Sequence, residues 1–270
     1  MQERFSSADR VLAQRLEAAD SAMTGKLIRT GGKFAAEPVP GGGYCLFGGA
    51  GSPLTHAVGA GMLPGAGPAE LDRIEAFYRS RGVASLLDLC PLAQDEFVRA
   101  VQSRPYRVIE LNNVLVRRLS PGEEFPADAA VRNVAGDELS EWKAVVSRGF
   151  AEGAEPAPEA VEAMDVCAPG AHCFLGRTDG RGVAGSAMGM LDGVAWMFGD
   201  ATLPEARGRG LQQALIQARL AFAVAHGCDL AGVSVIPGSA SNRNYERAGF
   251  QLVYMRVNVM REWPEPEVRP

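Results

Sequence analysis

Several residue types that often announce a protein's chemistry are scarce in this chain. It has three histidines and five cysteines in 270 residues. Cys45, Cys90, Cys167, Cys173 and Cys228 are widely separated, odd in number and never arranged C-x-x-C, which argues against a zinc cage and a disulfide framework. The thiols are expected to be reduced and mostly packing residues. Cationic excess is missing too: 27 Lys and Arg stand against 32 Asp and Glu, for a net charge of −5 and a pI near 5.4. Nucleic-acid binding, which relies on a Lys/Arg-rich face, is therefore not expected. No stretch reaches the roughly 20 apolar residues of a bilayer span. Met1 to Asp20 carries charge in every turn, unlike the apolar core of a signal peptide, so the expected setting is the cytoplasm without a membrane partner. A G-x-x-x-x-G-K-[ST] loop is absent: Gly25-Lys26 runs into Leu27 and Ile28, leaving nucleotide hydrolysis unsupported.

What is present is ordinary globular material, 47% hydrophobic and 22% charged, enough for one large domain or two moderate ones. Val11, Leu12, Leu16 and Ala19 recur at helical spacing between Ser7 and Thr24, behind candidate Ser caps. The glycine-dense run Gly41 to Gly51 leads into Ser52-Pro53 and another strand-like segment rather than a helix. It reads as hairpin loops and not as a dinucleotide fingerprint.

A faint internal repeat organises the rest. In its first copy a helix at about Ala69–Arg81 ends at Gly82. A buried strand, Ala84–Leu89, is stopped by Pro91, and a helix near Gln94–Gln102 and a strand Tyr106–Leu119 follow. In the second copy the corresponding pieces are a helix at Gly210–Ala225, a strand Leu230–Ile236 stopped by Pro237, a helix near Asn242–Ala248 and a strand Phe250–Met260. The halves are placed at 1–122 and 123–270, with Pro121, Gly122 and Pro126 in the link between Ser120 and Ala130. A mixed α/β fold with two related units is expected.

The chemistry concentrates in the second half. A strand, Val194 to Pro204, leads through Glu205-Ala206-Arg207-Gly208-Arg209-Gly210-Leu211-Gln212 into a helix. In that helix Leu211, Leu215, Ala218, Phe222 and Ala225 read as the apolar stripe, with Gln212, Gln213 and Arg219 lying elsewhere. Glycines at a helix entrance let the chain turn closely and leave the first N–H groups unpaired, where the helix dipole also favours an anion. Arg207 and Arg209 add charge. The element suits a pyrophosphate, and its strand and helix flanks argue against the disordered RNA-binding tails in which R-G-R-G also occurs.

At these residues the sequence resembles the GCN5-related N-acetyltransferase (GNAT) superfamily, whose signature is Arg or Gln, two residues, Gly, one residue, then Gly or Ala. Arg207, Gly208, Arg209, Gly210 and Leu211 fit, while Gln212 departs from the small final residue. Downstream, Ser239 to Phe250 resembles the family's later motif, with Tyr245 as the tyrosine shortly before Gly249-Phe250. The resemblance spans about Val131 to Trp263. It implies a GNAT acyl-CoA N-acyltransferase fold whose central strand, here Asp200 to Leu203, splays from its neighbour and pairs its backbone with the pantetheine arm of acetyl-CoA. Asp200 carries the neighbouring carboxylate, and Ala201, Thr202 and Leu203 the pairing backbone. Arg207 to Gln212 would hold the nucleotide end, with Ser241 and Asn244 as further contacts.

A substrate amine would then attack the thioester directly. Tyr245 is the candidate acid for the leaving sulfur. Asp200 is the nearest carboxylate for the base, with Glu246 or a water chain as alternatives. The expected reaction is acetyl transfer from acetyl-CoA, a co-substrate, to a small-molecule amine in preference to a protein amine. A non-catalytic acyl-CoA sensor and an interaction module are the competing classes. His56, His172 and His226 receive no role. The first copy lacks arginine at its counterpart turn, Leu63 to Pro68, and so is expected to be a degenerate unit supporting the catalytic one. The acceptor pocket is expected from Glu152 to Pro169 and the facing surface of the first half. A homodimer remains open.

Overall fold

The computed structural model describes residues 9–30 and 34–263. Its elements in chain order begin with helix α1 (Arg10–Thr30), strands β1 (Ala35–Pro38), β2 (Tyr44–Phe47) and β3 (Ala57–Val58), helix α2 (Pro68–Arg79), strand β4 (Ser85–Leu89), helix α3 (Asp95–Gln102) and strand β5 (Arg107–Arg118). The second half continues with β6 (Val131–Val134), α4 (Glu138–Phe150), α5 (Pro158–Cys167), β7 (His172–Thr178), β8 (Arg181–Leu191), β9 (Val194–Thr202), α6 (Leu211–Ala225), β10 (Leu230–Val235), α7 (Ala240–Arg247) and β11 (Gln251–Arg261). Both copies of the expected repeat are there, each ending within two residues of its pattern. Ser7 lies outside the described residues. Within α1, Leu16 and Ala19 are buried, but Val11 is 74% exposed and does not join the core.

All strands join one sheet of 11, in the order β1-β2-β3-β4-β11-β5-β10-β9-β8-β7-β6. The order reveals an exchange. β5, the last strand of the first half, pairs antiparallel with β10 of the second, and β11, the last strand of the second half, pairs antiparallel with β4 of the first. The two exchanged strands also pair with each other from Gln251↔Val116 to Met260↔Arg107. Each half thus completes its sheet with a strand from the other, and no strand edge separates them. The glycine-dense run forms the β1–β2 hairpin turn and the loop into β3.

Side-chain alternation sorts the core into layers, as the two-residue period of a strand requires. On β7, Phe174 joins α6 residues Leu211, Leu215 and Leu220 in one apolar cluster. Its neighbours Cys173 and Leu175 pack with Trp142 and Val146 of α4 in another. Gly232 of β10 abuts Trp196 and Leu16, so α1 covers the face of β10 opposite α6. All five cysteines are free and buried. Burial pushes the thiols of Cys45, Cys90, Cys167 and Cys173 up to about 12, which suits packing and not nucleophilic work. Among the described residues no helix is long and apolar enough to cross a membrane.

Candidate active site at the splay of two parallel strands

β9 and β10 run parallel but pair only from Leu230↔Val194 to Val233↔Met197. Beyond that point they part. β10 keeps its other neighbour, with Ser234↔Val114 and Val235↔Asn113, while β9 stays with β8 through a register shift between Gly185 and Ala187. Opposite that shift β9 runs from Phe198 to Ala201, one residue more than β8 supplies, so the bulge lies on β9. Gly199 absorbs it at φ +70, a conformation that favours glycine. The segment from Phe198 to Thr202 thus has no β10 partner on that side.

A cleft of about 630 Å³ opens at the splay. Its back is the entrance of α6: Gly208 at φ +75 and Gly210 at φ +80 turn the chain. No side chain caps the helix. The first helical bond runs from Ala214 N to Gly210 O, so the amides of Leu211, Gln212 and Gln213 precede it and face the cleft side with the positive end of the helix dipole. Opposite, Gly149 of α4 lets that helix approach β9 closely, since a Cβ there would stand 2.7 Å from Ala201 Cβ.

The cleft brings together Asp200, Ala201, Thr202, Arg207, Gly208, Gly210, Leu211, Gln212, Ser241 and Asn244 from the sequence reading. Gln212, the departure from the motif, bridges two helices: its Nε2 donates to Ser241 Oγ at 3.1 Å and its Oε1 accepts from Asn244 Nδ2. Arg207 donates from Nε to Thr202 O at 3.1 Å and from Nη1 to Glu152 Oε2 at 2.6 Å. Glu152 raises Arg207 and is itself held below its ordinary value by it. Both are exposed, so this screened pair contributes little to stability.

Four expectations change. Leu203 does not line the cleft but packs in the apolar layer with Trp142 and Ala201. Arg209 also stays outside it, reaching only Glu205 O at 3.4 Å. Glu246 is exposed on α7 away from the lining. Tyr245 is fully buried, and its phenol donates to Asp200 Oδ2 at 2.7 Å instead of opening into the cleft. Its helix turn presents Asn244 to the cleft and the tyrosine to the sheet. Burial, ahead of the opposing Arg219 cation, raises the Tyr245 phenol well above its ordinary value.

Sequence reasoning missed more. Gln213, Ser239 and Arg247 line the cleft, as do Gly149 and Phe150; Glu152, the first residue of the expected acceptor segment, lines it too. Arg247 was findable as the residue three beyond Asn244 on the same helix face, and its Nη1 donates to Asn244 Oδ1 at 2.8 Å. Arg219, read as lying off the apolar stripe, is fully buried; the enclosed row on α6 is Leu211, Leu215, Ile216, Arg219, Leu220 and Ala223. The i, i+4 spacing of Leu211, Leu215 and Arg219 carried that signal. Of Glu152 to Pro169, the segment expected to build the acceptor pocket, Pro158–Cys167 is the helix α5.

The mixed sheet splayed beside a glycine-arginine helix entrance is the GNAT fold of the solved structures it resembles, with two related units in tandem. Residues 139–250 match the model of the acetyltransferase (GNAT) family. No curated protein matches the chain. Among solved structures, a GCN5-related N-acetyltransferase from Kribbella flavida is similar at TM-score 0.64 and 22% identity, over 94% of this chain and 96% of that one. A tandem GNAT protein from the clavulanic acid biosynthesis pathway, solved without AcCoA, is similar at TM-score 0.58 and 17% identity over 95% and 96%. A GCN5-related N-acetyltransferase from Sphaerobacter thermophilus matches at TM-score 0.55 and 16% identity over 72% and 67%. These likenesses extend the shared fold to nearly the whole chain.

Proposed function

We propose that the protein is an acetyl-CoA-dependent N-acetyltransferase acting on a small-molecule amine, with its site in the cleft between β9 and β10. The observation that carries this is the union of an uncapped, glycine-turned helix entrance with a strand segment that has no β10 partner on the cleft side, where Thr202 O accepts only from the Arg207 side chain. A pyrophosphate needs the first and an extended amide-bearing arm the second. In this reading the amides of Leu211, Gln212 and Gln213 with Arg207 hold the diphosphate, Ser241, Asn244 and Arg247 flank the nucleotide end, and Ala201 and Thr202 face the arm.

The co-substrate supplies an activated acyl carbon and a thiol leaving group. This chain's residues must orient the amine, accept its proton and exclude competing water. Asp200 is the carboxylate at the splay, with 8% of its side chain exposed, and is the proposed proton acceptor, directly or through one water. Tyr245 acts on the site through Asp200 rather than by direct contact, which moves it from acid to positioning residue. The halves 1–122 and 123–270 have different tasks in this reading: the first supports and covers, the second binds and reacts. The location is proposed to be cytoplasmic.

Calorimetric titration of acetyl-CoA into the wild type and an Arg207→Ala, Gly210→Glu variant tests the site. Binding that falls at least about tenfold in the variant supports it, since about 1.4 kcal/mol of lost phosphate contacts suffices for that. A folded wild type that binds no acetyl-CoA overturns the reading. Turnover on a panel of primary amines separates an enzyme from an acyl-CoA sensor.

A further inference from the structure

Two turns beyond its open end, α6 buries a guanidinium completely: Arg219 is 0% exposed. Its contacts are specific. Nη1 donates to Ala187 O at 3.1 Å and to Asp200 Oδ2 at 3.3 Å. Nη2 donates to Asp200 Oδ1 and to the Tyr245 hydroxyl, the latter at 3.1 Å, while Nε closes onto Leu215 O at 3.2 Å. Ala187 and Asp200 lie on the two strands at the register shift where β9 carries its extra residue. One side chain therefore joins β8, the bulge of β9 and, through Tyr245, helix α7.

Stability alone does not explain this arrangement. A buried ion pair gives up much of its attraction to desolvation, and well-packed apolar side chains of similar volume often serve as well. What an apolar residue cannot do is grip a carbonyl of β8 and a carboxylate of β9 at once with a planar fork.

We infer that Arg219 is a positioning residue for the reaction: it sets the bulge that turns the free segment of β9 toward the cleft and fixes the Asp200 carboxylate at the splay. The inference rests on the acetyltransferase reading. Because the guanidinium lies two turns behind the helix entrance, it governs the acyl end of the cleft and leaves the pyrophosphate end alone. Tyr245 serves the same task from the other side, its phenol filling the lone pair of Asp200 that Arg219 reaches least directly.

The test uses acetyl-CoA labelled with carbon-13 at the acetyl carbonyl, with wild type and Arg219→Lys. Lysine keeps the charge and loses the fork. The expected result is an affinity within about threefold of wild type, together with a bound carbonyl resonance displaced from its free position in wild type and returned toward it in the variant. An undiminished displacement in Arg219→Lys overturns the inference, because a merely structural arginine would leave that resonance alone. Absence of any displacement in a wild type that does bind overturns it as well, while leaving the function intact. Failure of wild type to bind defeats the acetyltransferase reading instead. Amide exchange of residues 198–202 in the ligand-free protein provides a readout without ligand: exchange should rise at least about tenfold in Arg219→Lys, or in Tyr245→Phe if the lysine variant does not fold. Unchanged exchange overturns the inference.

Discussion

The two halves repeat one frame and differ at one turn. In the second half, β9, α6 and β10 form a parallel unit whose helix entrance is open. In the first, β3, α2 and β4 form the same unit, with Ala57↔Leu87 and Val58↔Asp88 in parallel register, but the entrance is filled from within. Glu70, in the first turn of α2 and 6% exposed, accepts from Gly61 N at 2.8 Å and also from the Gly41 amide. A Cβ at Gly41 would stand 1.6 Å from Glu70 Oε2, so the hairpin turn is closed tightly onto the carboxylate. Burial raises the Glu70 carboxyl, and the two amides oppose that rise. The first turn of α2 thus carries a carboxyl held by loop amides, where α6 carries Gln213. The frames of the two halves match, and it is the side chains around the helix entrance that differ.

The largest expected effect tests the open half. Asp200→Ala leaves the buried Arg219 guanidinium without its carboxylate and should cost about 3–5 kcal/mol in urea denaturation. A cost below about 1 kcal/mol would mean that the ion pair is dispensable to the fold. Next, Glu70→Ala strands two amides in the closed half, for an expected loss of about 1–3 kcal/mol by the same method. Calorimetry then sharpens the contrast. Wild type should take one acetyl-CoA per chain, and a second equivalent entering Glu70→Ala would show that Glu70 is what shuts the first half.

The smallest effect concerns pH. His56 Nδ1 lies 2.9 Å from Asp88 Oδ2, beside the buried cluster of Glu17, Asp20, Tyr254 and Arg256. Burial opposes the imidazolium, but Asp88 and Asp20 outweigh burial and Arg256, and the histidine is raised. Burial likewise opposes the Asp88 carboxylate, yet His56 and Arg256 lower it. The stabilisation from the pair is present above the ordinary aspartate value near 3.9 and fully present up to the ordinary histidine value near 6.5. It is lost as pH rises through the raised folded value of His56, and again as pH falls through the lowered value of Asp88. Thermal melts of wild type against His56→Gln should therefore converge above neutrality. Parallel curves from pH 5 to 9 would refute the assignment.

Much of this was legible beforehand because it is local. The α6 entrance follows from Gly208, Arg207 and Gly210 beside a strand, and the paired order of helices and strands follows from apolar period and from Gly82, Pro91, Gly227 and Pro237. Arg219 was misread because a charged residue in a stripe is ordinarily taken as surface, although its spacing from Leu215 placed it inside. Tyr245 was recognised by position, yet the direction of its phenol depends on which side of α7 meets the sheet, and the packing of α7 against β5 through Asn242 and Asn113 decides that.

By itself the sequence determined the elements, the repeat and the glycine-arginine turn at the α6 entrance, since each arises from backbone preference and periodicity over short stretches of chain. Only the tertiary structure decided that β5 and β11 exchange between the halves, that Arg219 spans β8 and the bulge of β9, and that Glu70 takes the Gly61 and Gly41 amides. The reason is physical. Buried strands with continuous apolar character carry no local mark of their neighbours, and Arg219 meets Asp200 and Ala187, on two other strands, only once the sheet has set where each strand lies.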